Sequence, residues 1–336
     1  MHTTRRRLIQ TAGAVIGLPT VPQMGHLIEF QWRIGHSAPA TFPIHQRLLE
    51  AAETIAKQAD GRMTLTVVPA DELGGEVGML AQTRDGKLEM SLPSGRTLGL
   101  TLPIATIHSI GFAFPNYDAV WRAMDGKLGE YVRAQISKSF GVMALQRMWD
   151  FGFRQMTSRT KAIDGSADLS GMTMAVRLAP ADFALFKALG AAPVPMPLSS
   201  VVQAVRQHRV DATNDTLAVT DVEHISQVHK HCALTNHVWE GHWLCANPTA
   251  WGDLPDDLRA MVADTLNEAA LNQRADTAAA DQALQVKLAA DGMAFTKPEL
   301  ESFRAALRGA GVYDDWRNRM GKEPMAMLTD VVGRLD

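Results

Sequence analysis

The pattern of apolar and polar residues predicts a β-α-β start for the ordered part of the chain. Apolar residues alternate with polar ones over 30–34 and again over 63–67, which is typical of strands. Between these segments Pro43 begins a stretch with helical spacing, whose apolar face is formed by Ile44, Leu48, Ala52, Ile55 and Ala56. Because two strands joined by a crossover helix pair in parallel, this segment predicts a parallel sheet.

The same alternation of strand and helix patterns continues through the middle of the chain. Strand patterns lie at 90–93, 142–149, 172–178, 194–196 and 210–212. Helical patterns follow a glycine-rich turn at 71–76, recur at 180–189 and 198–209, and close the chain from 298 and from about 323. Alternating strands and helices predict an α/β fold.

A much longer helical pattern follows Pro255. Apolar residues recur at helical spacing to about position 290, and the polar residues Gln273 and Thr277 interrupt the stripe midway. At about 1.5 Å per residue such a helix is about 50 Å long, which exceeds the diameter of one lobe. We therefore expect it to connect two lobes.

The length of the chain also favours two lobes, because 336 residues are too many for one small core. The sequence contains no internal repeat and no low-complexity linker, so we expect the chain to cross between the lobes more than once. Lobe I is expected to comprise 27–151 plus about 241–280. Lobe II is expected to comprise 152–240 plus about 281–336.

The first 26 residues have the features of an export signal. Three arginines at 5–7 precede an apolar run over 12–21, and no acidic residue occurs before Glu29. Paired arginines after a threonine and before Leu-Ile favour a twin-arginine signal, with an ordinary secretory signal as the alternative. The run is shorter than the about 20 apolar residues that span a bilayer. We expect export to the periplasm and cleavage of this segment.

Composition and charge exclude several classes of protein. The apolar fraction of 46% is that of a globular protein, and a net charge of -3 argues against a nucleic-acid surface. No later segment is long and apolar enough to cross a membrane. Two cysteines, Cys232 and Cys245, are too few for a disulfide scaffold. They either pair, if their strands are neighbours, or remain two buried thiols.

Several segments together resemble the solute-binding proteins of tripartite ATP-independent periplasmic (TRAP) transporters. These segments are Pro-Ala-Asp-Glu-Leu-Gly-Gly-Glu at 69–76, Gly-Phe-Arg-Gln-Met-Thr-Ser at 152–158, Leu-Ser-Gly-Met at 169–172, Phe-Lys-Ala-Leu-Gly-Ala-Ala-Pro-Val-Pro-Met-Pro at 186–197, Arg-Val-Asp-Ala at 209–212 and Trp-Gly-Asp-Leu-Pro-Asp-Asp-Leu-Arg at 251–259. No single motif is decisive. Their order and spacing carry the resemblance, which covers nearly the whole chain after the signal.

The resemblance implies a two-lobe periplasmic binding protein of type II-like α/β architecture, with a long helix bridging both lobes. Such proteins close on a small solute, usually a carboxylate, and dock on the membrane subunits of a TRAP permease. They carry out no chemistry, so neither an enzyme activity nor a cofactor or resident metal is expected. A monomer is the expected state.

Arg154 is the first candidate binding residue. In the family, the arginine of the Gly-x-Arg-Gln-x-Thr segment helps to bind the ligand carboxylate, and that position here is Arg154. A guanidinium offers two parallel N–H donors to two oxygens, which suits this role. The alternative is an arginine that pairs with an acidic residue of the protein.

The chain departs from the family at its best-known anchor arginine, four residues after the glycine of Leu-x-Gly. That position is Ala175. Arg177 follows two residues later, so on a strand it lies on the same face as Ala175. Arg177 therefore either replaces the lost charge from a shifted position or forms a salt bridge at the rim.

A second departure lies at Asn214 and Asp215. Asp215 occupies the position of a family asparagine that contacts the ligand. An aspartate there would attract an ammonium or accept a hydrogen bond from a hydroxyl. With a cation lost at Ala175 and an anion gained at Asp215, we expect an organic acid with zwitterionic or hydroxy-acid character, or a small amine or amino alcohol such as ethanolamine, rather than a simple dicarboxylate.

Other candidates for the wall of the site have aromatic, acidic or hydroxyl side chains. They are Phe42, Glu72, Ser94, Trp149, Trp239 and Trp243. Tryptophan can cover an apolar ligand body or face a cation. For each tryptophan the alternative is a place in the core.

A metal site in an exported protein is the main alternative function. Histidines and both cysteines crowd the span from His224 to His242 and just beyond it, namely His224, His229, His231, Cys232, His237, His242 and Cys245. Histidine and cysteine are the usual zinc ligands, but the spacing matches neither H-E-x-x-H nor C-x-x-C. Solvated histidines are the simpler interpretation.

A nucleotide-using α/β enzyme is the second alternative. The glycine-rich turn at 74–78 follows a strand, but it is not G-x-G-x-x-G, and no G-x-x-x-x-G-K-[ST] occurs. No G-x-S-x-G serine elbow occurs either. A receptor for another transporter or a sensor stays within the binding class.

Overall fold

The computed structural model describes residues 28–335, so the expected signal segment lies outside the described residues. The strands in this range are β1 (Phe30–Gly35), β2 (Met63–Val68), β3 (Met90–Ser91), β4 (Met143–Ser158), β5 (Thr173–Val176), β6 (Ala192–Pro195), β7 (Ala212–Thr216), β8 (His231–Ala246) and β9 (Ala294–Thr296). The helices are α1 (Pro43–Gln58), α2 (Glu76–Arg84), α3 (Gly95–Gly99), α4 (Tyr117–Met124), α5 (Lys127–Phe140), α6 (Pro180–Ala188), α7 (Leu198–Arg206), α8 (Leu217–Val222), α9 (Pro248–Asp253), α10 (Asp256–Ala290), α11 (Glu301–Gly309), α12 (Val312–Met320) and α13 (Lys322–Val332).

The strands form one mixed sheet in the order β2-β1-β3-β8-β4-β7-β5-β6, with β9 beside β8. The strands β1, β2 and β3 pair in parallel, and so do β5, β6 and β7. These two parallel groups are the sheets of the two lobes, which confirms the predicted α/β fold class. The expected β-α-β start is also confirmed.

The long antiparallel pair β4 and β8 joins the two lobes and was only partly predicted. The apolar pattern predicted a strand over 142–149, but β4 continues to Ser158, and β8 had no predicted counterpart. Polar residues in both strands obscure the strand pattern. Many of these residues are buried, and some hydrogen-bond across the pair, as Arg154 does with Glu240 and Gln155 with Asn236. Local hydrophobic periodicity therefore does not indicate the two strands.

Two main clusters of buried residues stabilise the lobes. In lobe I, the apolar faces of β1, α1 and β2 pack with the first half of α10, through residues such as Ile34, Leu48, Leu65 and Val262. A second cluster combines α4 and α5 with β4, β5, α6, α12 and α13. Since α4 and α5 were expected in lobe I and α12 and α13 in lobe II, the lobe boundaries given above remain a proposal.

The long helix α10 is continuous over Asp256–Ala290, as predicted. Its polar interruption fastens the helix to β4: Gln273 accepts a hydrogen bond from the Asp150 N–H (2.8 Å) and donates one to the Asp150 carbonyl (2.7 Å). Arg274 donates to the Met148 carbonyl and forms two hydrogen bonds with Asp125 (2.8 and 3.0 Å). The break in the apolar stripe therefore marks the place where α10 crosses the strand that joins the lobes.

Glycine is required at position 129, where the first turn of α5 contacts the end of α4. A β-carbon at Gly129 would lie 1.7 Å from the carbonyl oxygen of Met124, a backbone atom that cannot rotate away. We expect Gly129→Ala to lower the free energy of unfolding by about 1–3 kcal/mol, as overpacked positions do. Urea denaturation measures this loss. Gly252→Ala is the matched control, since a β-carbon there meets nothing within 4 Å; an equal loss in both variants would contradict the steric argument.

Candidate ligand-binding cleft

A cavity of about 550 Å³ opens where the carboxyl ends of the two parallel strand groups face each other, and we call it the cleft. On the lobe I side it is lined by residues that follow β1, β2 and β3, namely Ser37, Pro39, Phe42, Asp71, Gly75, Glu76, Val77, Gly78, Arg96, Thr97 and Leu100. Opposite lie Phe151, Arg177, Leu178, Met196, Pro197, Leu198, Val219, Val222, Glu223 and Glu240. Open α/β sheets bind ligands at this edge of their strands.

A smaller cavity of about 200 Å³, here called the side chamber, adjoins the cleft. The two cavities share three lining residues, Arg96, Leu100 and Glu240. Arg154 and Asp182 line the side chamber and do not line the cleft. The guanidinium of Arg154, which was expected to bind the ligand, therefore lines the side chamber next to Glu240 and not the cleft itself.

Arg154 is a buried arginine whose partners are groups of the protein itself. It lies on β4 with a side chain only 2% exposed. One terminal nitrogen, Nη1, donates to Asp182 Oδ2 (2.7 Å) and Asn214 Oδ1 (3.1 Å), and the other, Nη2, donates to Glu240. Burial alone lowers the pKa of Arg154, but Asp182 and Glu240 raise it above its ordinary value. The guanidinium is thus charged and already paired.

Glu240 lies on β8 between two arginines. It accepts hydrogen bonds from Arg154 and from Arg96 (3.0 Å), the latter on α3. Burial raises the pKa of the Glu240 carboxyl, but the two arginines outweigh burial and hold that pKa well below its usual range. Four alternating charges, Arg96, Glu240, Arg154 and Asp182, therefore run from the rim of the cleft into the side chamber and sum to zero.

Arg177 forms a second ion pair at the floor of the cleft. It follows β5 directly and donates a hydrogen bond to Asp215 on β7, the adjacent parallel strand. The Arg177 side chain is 14% exposed and lines the cleft, whereas Asp215 is buried behind it. Burial raises the pKa of Asp215 above its ordinary value, although Arg177 and Arg154 oppose that shift.

Glu76 is the acidic centre of the lobe I wall, and the sequence analysis did not select it. It begins α2 and accepts hydrogen bonds from Ser37 Oγ (2.6 Å), from the N–H and hydroxyl of Ser94 (2.9 and 2.6 Å) and from Thr97. His242 Nε2 lies 3.6 Å away. Burial raises the pKa of Glu76, but His242 and the hydroxyl donors lower it well below its usual range. In the sequence, Glu76 was marked only as an acidic residue that follows two glycines at the start of a predicted helix.

Four of the residues selected from the sequence lie at the cleft or directly behind its lining. Phe42 lines it and packs on Phe151 with ring centroids 5.6 Å apart. Arg177 lines it, Asp215 supports Arg177, and Ser94 supports Glu76. Glu72 is exposed and outside the lining, where its neighbour Asp71 is found instead, because the turn at 69–74 directs Asp71 towards the cavity.

Two further candidates, Ala175 and Asn214, lie beneath the cleft. Ala175 is buried in a small cluster under α7, with Val201 and Val205. Asn214 on β7 donates to the Ala175 carbonyl (2.8 Å) and accepts from Arg154. These two residues hold β5 and β7 together and position Arg154.

The three tryptophan candidates are core residues and do not line the cleft. Trp149 and Trp243 are fully buried, the first in the lobe I core and the second in the larger cluster. Trp239 is also buried, where its Nε1 donates to Asp150 Oδ1 (2.7 Å) and its ring meets Trp121 edge-on at 5.1 Å. Large aromatic rings fill the interior around the paired strands β4 and β8. The alternative stated for each tryptophan, a place in the core, is therefore the correct one.

The histidine-rich span does not converge on one point. Within residues 28–335, no group of three or more histidine, cysteine, aspartate or glutamate side chains is arranged to hold a metal ion. His229 bonds to Thr157 (2.9 Å), His237 to Thr235 (2.8 Å), and His224 is exposed at a turn. The metal-site alternative therefore receives no support from the structure.

The two cysteines are separate buried thiols. Both lie on β8, thirteen positions apart along one extended strand, and both are free. An extended strand rises about 3.3 Å per residue, so the two sulfurs are far beyond bonding distance. Burial raises the pKa of each thiol to about 12. Of the two possibilities left open by the sequence, the structure shows unpaired cysteines.

None of the helices within 28–335 combines the length and apolar character that a bilayer crossing requires.

Comparison with known proteins gives one family and many related structures. The family model described as bacterial extracellular solute-binding protein, family 7, matches residues 34–316. A protein of Sinorhizobium fredii, y4mM, is 29% identical over 265 residues, which are 77% of this chain but only 48% of that relative, so the chain spans about half of that relative's length. The C4-dicarboxylate-binding periplasmic protein of Rhodobacter capsulatus is 24% identical over 336 residues, 97% of this chain and 98% of the relative.

Among solved structures, a TRAP periplasmic solute-binding protein from a Polaromonas species, bound to D-erythronate, is similar to this chain with a TM-score of 0.79. The two are 26% identical, and the match covers 90% of this chain and 99% of the other.

Proposed function

This chain belongs to bacterial extracellular solute-binding protein family 7, the solute-binding proteins of TRAP transporters, and on that premise we propose that it is a periplasmic receptor for a small polar organic solute. The solute binds in the cleft, and the loaded receptor delivers it to the membrane subunits of a TRAP permease. The receptor acts as a monomer, without a cofactor and without catalysing a reaction.

The cleft itself is the observation that carries this proposal. Its position at the carboxyl ends of both parallel strand groups lets residues of both lobes contact one ligand. A volume of about 550 Å³ suits a small organic molecule. When the lobes close, water leaves the cleft, which strengthens each charged hydrogen bond made inside it.

The charges around the cleft indicate the class of solute. Four carboxylates line it, from Asp71, Glu76, Glu223 and Glu240, against two guanidinium groups, from Arg96 and Arg177. Both arginines are already paired with acidic residues of the protein. A second anionic group on the ligand would find carboxylates rather than free cations, so a simple dicarboxylate is disfavoured.

We therefore propose an organic acid that also carries hydroxyl or ammonium groups. Its carboxylate would bind Arg177, whose side chain is 14% exposed, and not Arg154, whose side chain is 2% exposed. Its hydroxyl or ammonium groups would donate to Glu76 and Asp71 on the opposite wall. The similar Polaromonas protein, whose structure contains bound D-erythronate, a hydroxy acid, is consistent with this class. The excess of carboxylates also favours a second candidate class, small amines and amino alcohols.

Thermal-shift screening with hydroxy acids, amino acids, amines and dicarboxylates tests the proposal. A ligand that binds the native state stabilises it by about 2.7 kcal/mol at about a hundredfold excess over Kd. We expect hydroxy acids or zwitterions to raise the melting temperature more than succinate does. In Arg177→Gln this rise should be lost, because the carboxylate loses its bidentate donor.

Arg159→Gln is the matched control, because Arg159 pairs with Asp211 outside the cleft and is replaced in the same way. Loss of the ligand response in both variants would point to general destabilisation. If no organic solute shifts the melting temperature of the wild-type protein, the receptor proposal fails.

A further inference from the structure

The place beside the Arg154 guanidinium where a solute carboxylate would bind, here called the anion position, is occupied by the protein's own carboxylates. Both terminal nitrogens of its guanidinium donate to acidic or amide oxygens, from Asp182, Asn214 and Glu240. A planar guanidinium recognises a carboxylate through parallel N–H donors. Here both terminal nitrogens are engaged, and Nε, which has no hydrogen-bond partner, is buried. A solute carboxylate can reach the terminal nitrogens of Arg154 only if one of these groups withdraws.

Of these partners, Glu240 is the one that faces the cleft. Asp182 and Asn214 are absent from the cleft lining, whereas Glu240 lines both the cleft and the side chamber. Its carboxylate lies between the cavity and Arg154, and it also holds Arg96 at the rim. Glu240 thus presents negative charge to the solute at the place where the buried arginine would otherwise present positive charge.

The fold holds Glu240 in this position. It pairs with Gly152 on β4, beside an irregularity in the strand register between Asp150 and Gly152. Gly152 has a φ of 98°, a left-handed conformation that favours glycine. Such bulges re-aim the side chains around them. The placement of Glu240 between two arginines is therefore built into the β4–β8 crossing.

We propose that Glu240 is the specificity-determining residue of the cleft: its carboxylate occupies the anion position of Arg154 and excludes solutes with a second carboxylate. The inference deepens the proposed function and rests on it. Removing the charge at 240 should change the net charge of the group Arg96, Glu240, Arg154 and Asp182 from zero to +1. An amide at 240 can also donate a hydrogen bond to a solute carboxylate.

Isothermal titration calorimetry with succinate and with ethanolamine tests this role on wild-type protein and Glu240→Gln. We expect succinate affinity to rise by about tenfold or more in Glu240→Gln, because a carboxylate that repels succinate is replaced by a neutral amide, while any ethanolamine affinity falls. Glu223→Gln is the matched control, since Glu223 lines the same cleft but is not bonded to Arg154. An equal gain in both variants would show a general charge effect and overturn the assignment.

Folding of the variant is checked by circular dichroism and by its melting temperature. Arg154 keeps Asp182 and Asn214 as partners in Glu240→Gln, so we expect it to fold. If it does not, Glu240→Asp keeps the charge and withdraws the carboxylate by one methylene. Succinate affinity must then still rise by about threefold, as a weakened charge pair permits, and no rise overturns the proposal.

The outcomes separate this inference from the proposed function. If wild-type protein binds a hydroxy acid or amine but Glu240→Gln gains no succinate affinity, the role of Glu240 falls and the receptor function stands. If Glu240→Gln binds succinate while wild-type protein binds none of the screened solutes, the role of Glu240 stands and the receptor function proposed for the wild-type protein fails.

Discussion

Replacing Arg154 by methionine is expected to lower the free energy of unfolding by about 3–5 kcal/mol, the usual cost of removing one partner of a buried ion pair. The substitution leaves the carboxylates of Asp182 and Glu240, whose side chains are only 13% and 16% exposed, without the cation that holds them. Arg96 still forms an ion pair with Glu240, but it does not replace Arg154 beside Asp182. A stability loss of this size marks Arg154 as a structural cation of the β4–β8 crossing.

Urea denaturation at neutral pH measures this effect against Arg96→Met. The Arg96 side chain is 38% exposed, so its pair with Glu240 is expected to contribute only about 0–1 kcal/mol. The double variant Arg154→Met/Glu240→Gln should recover part of the loss, since one of the two unpaired carboxylates is then gone. A loss in Arg154→Met no larger than that in Arg96→Met would contradict the buried-pair interpretation.

Acidification from pH 7 to pH 5 is expected to destabilise the protein by several kcal/mol. Four buried histidines have a pKa well below 6.5, mainly because burial disfavours the charged ring: His36 at about 4, His108 at about 3, His229 at about 4 and His237 at about 3. With a lowered folded pKa, each stabilises the fold fully above pH 6.5 and loses that contribution as the pH falls. Each loss is about 2 kcal/mol between pH 7 and pH 5.

Buried carboxyls whose pKa is raised oppose this trend, among them Asp150, Asp281 and Asp215. Burial raises the pKa of Asp150 to about 7 and that of Asp281 to about 6. The contribution of Asp150 and Asp281 to stability therefore grows as the pH falls from 7 to 5, by about 2 and about 1 kcal/mol. The four histidines together outweigh them, so the net change remains a loss.

Urea denaturation at pH 7, 6 and 5 tests the sign and the source of this dependence. The slope of the free energy of unfolding against pH counts the protons taken up on unfolding. Between pH 6.5 and pH 5 that number should fall by about one in His237→Gln, because no imidazole ring has to be kept neutral at that buried position. His224→Gln replaces an exposed histidine and should leave the slope as it is. A protein equally stable at pH 5 and pH 7, or an unchanged slope in His237→Gln, would refute the role assigned to the buried histidines.

Elements whose hydrophobic period is uninterrupted were predictable one by one. The alternation at 30–34 and 63–67 and the helical face from Pro43 correspond to β1, β2 and α1. The polar break at Gln273 did not end α10, because that side chain bonds to the backbone of β4 instead of facing water. Strand β8 was missed, since polar residues such as Asn236 and Glu240 interrupt its apolar pattern and bond to partners distant in sequence.

The candidate site shows the same division at the level of single residues. Asp215 could be selected from its position in a family motif, and Arg177 because it lies two residues after the family's anchor position at Ala175. The structure pairs these two residues, and Arg177 lines the cleft. Glu240 could not be selected, because no local motif surrounds it. Its hydrogen-bond partner Arg154 is 86 residues away in the sequence.

The sequence by itself determined the α/β alternation, the continuous long helix and the family, because each is encoded in local periodicity or in contiguous motifs. The tertiary structure alone decided which carboxylate meets which guanidinium. The antiparallel crossing of β4 and β8 places Glu240 over Arg154, and the parallel pairing of β5 and β7 places Asp215 beside Arg177. The charge of the cleft depends on these pairings, because burial and the distance to a partner decide whether an arginine is available to a ligand. Neither quantity can be read from the local sequence pattern.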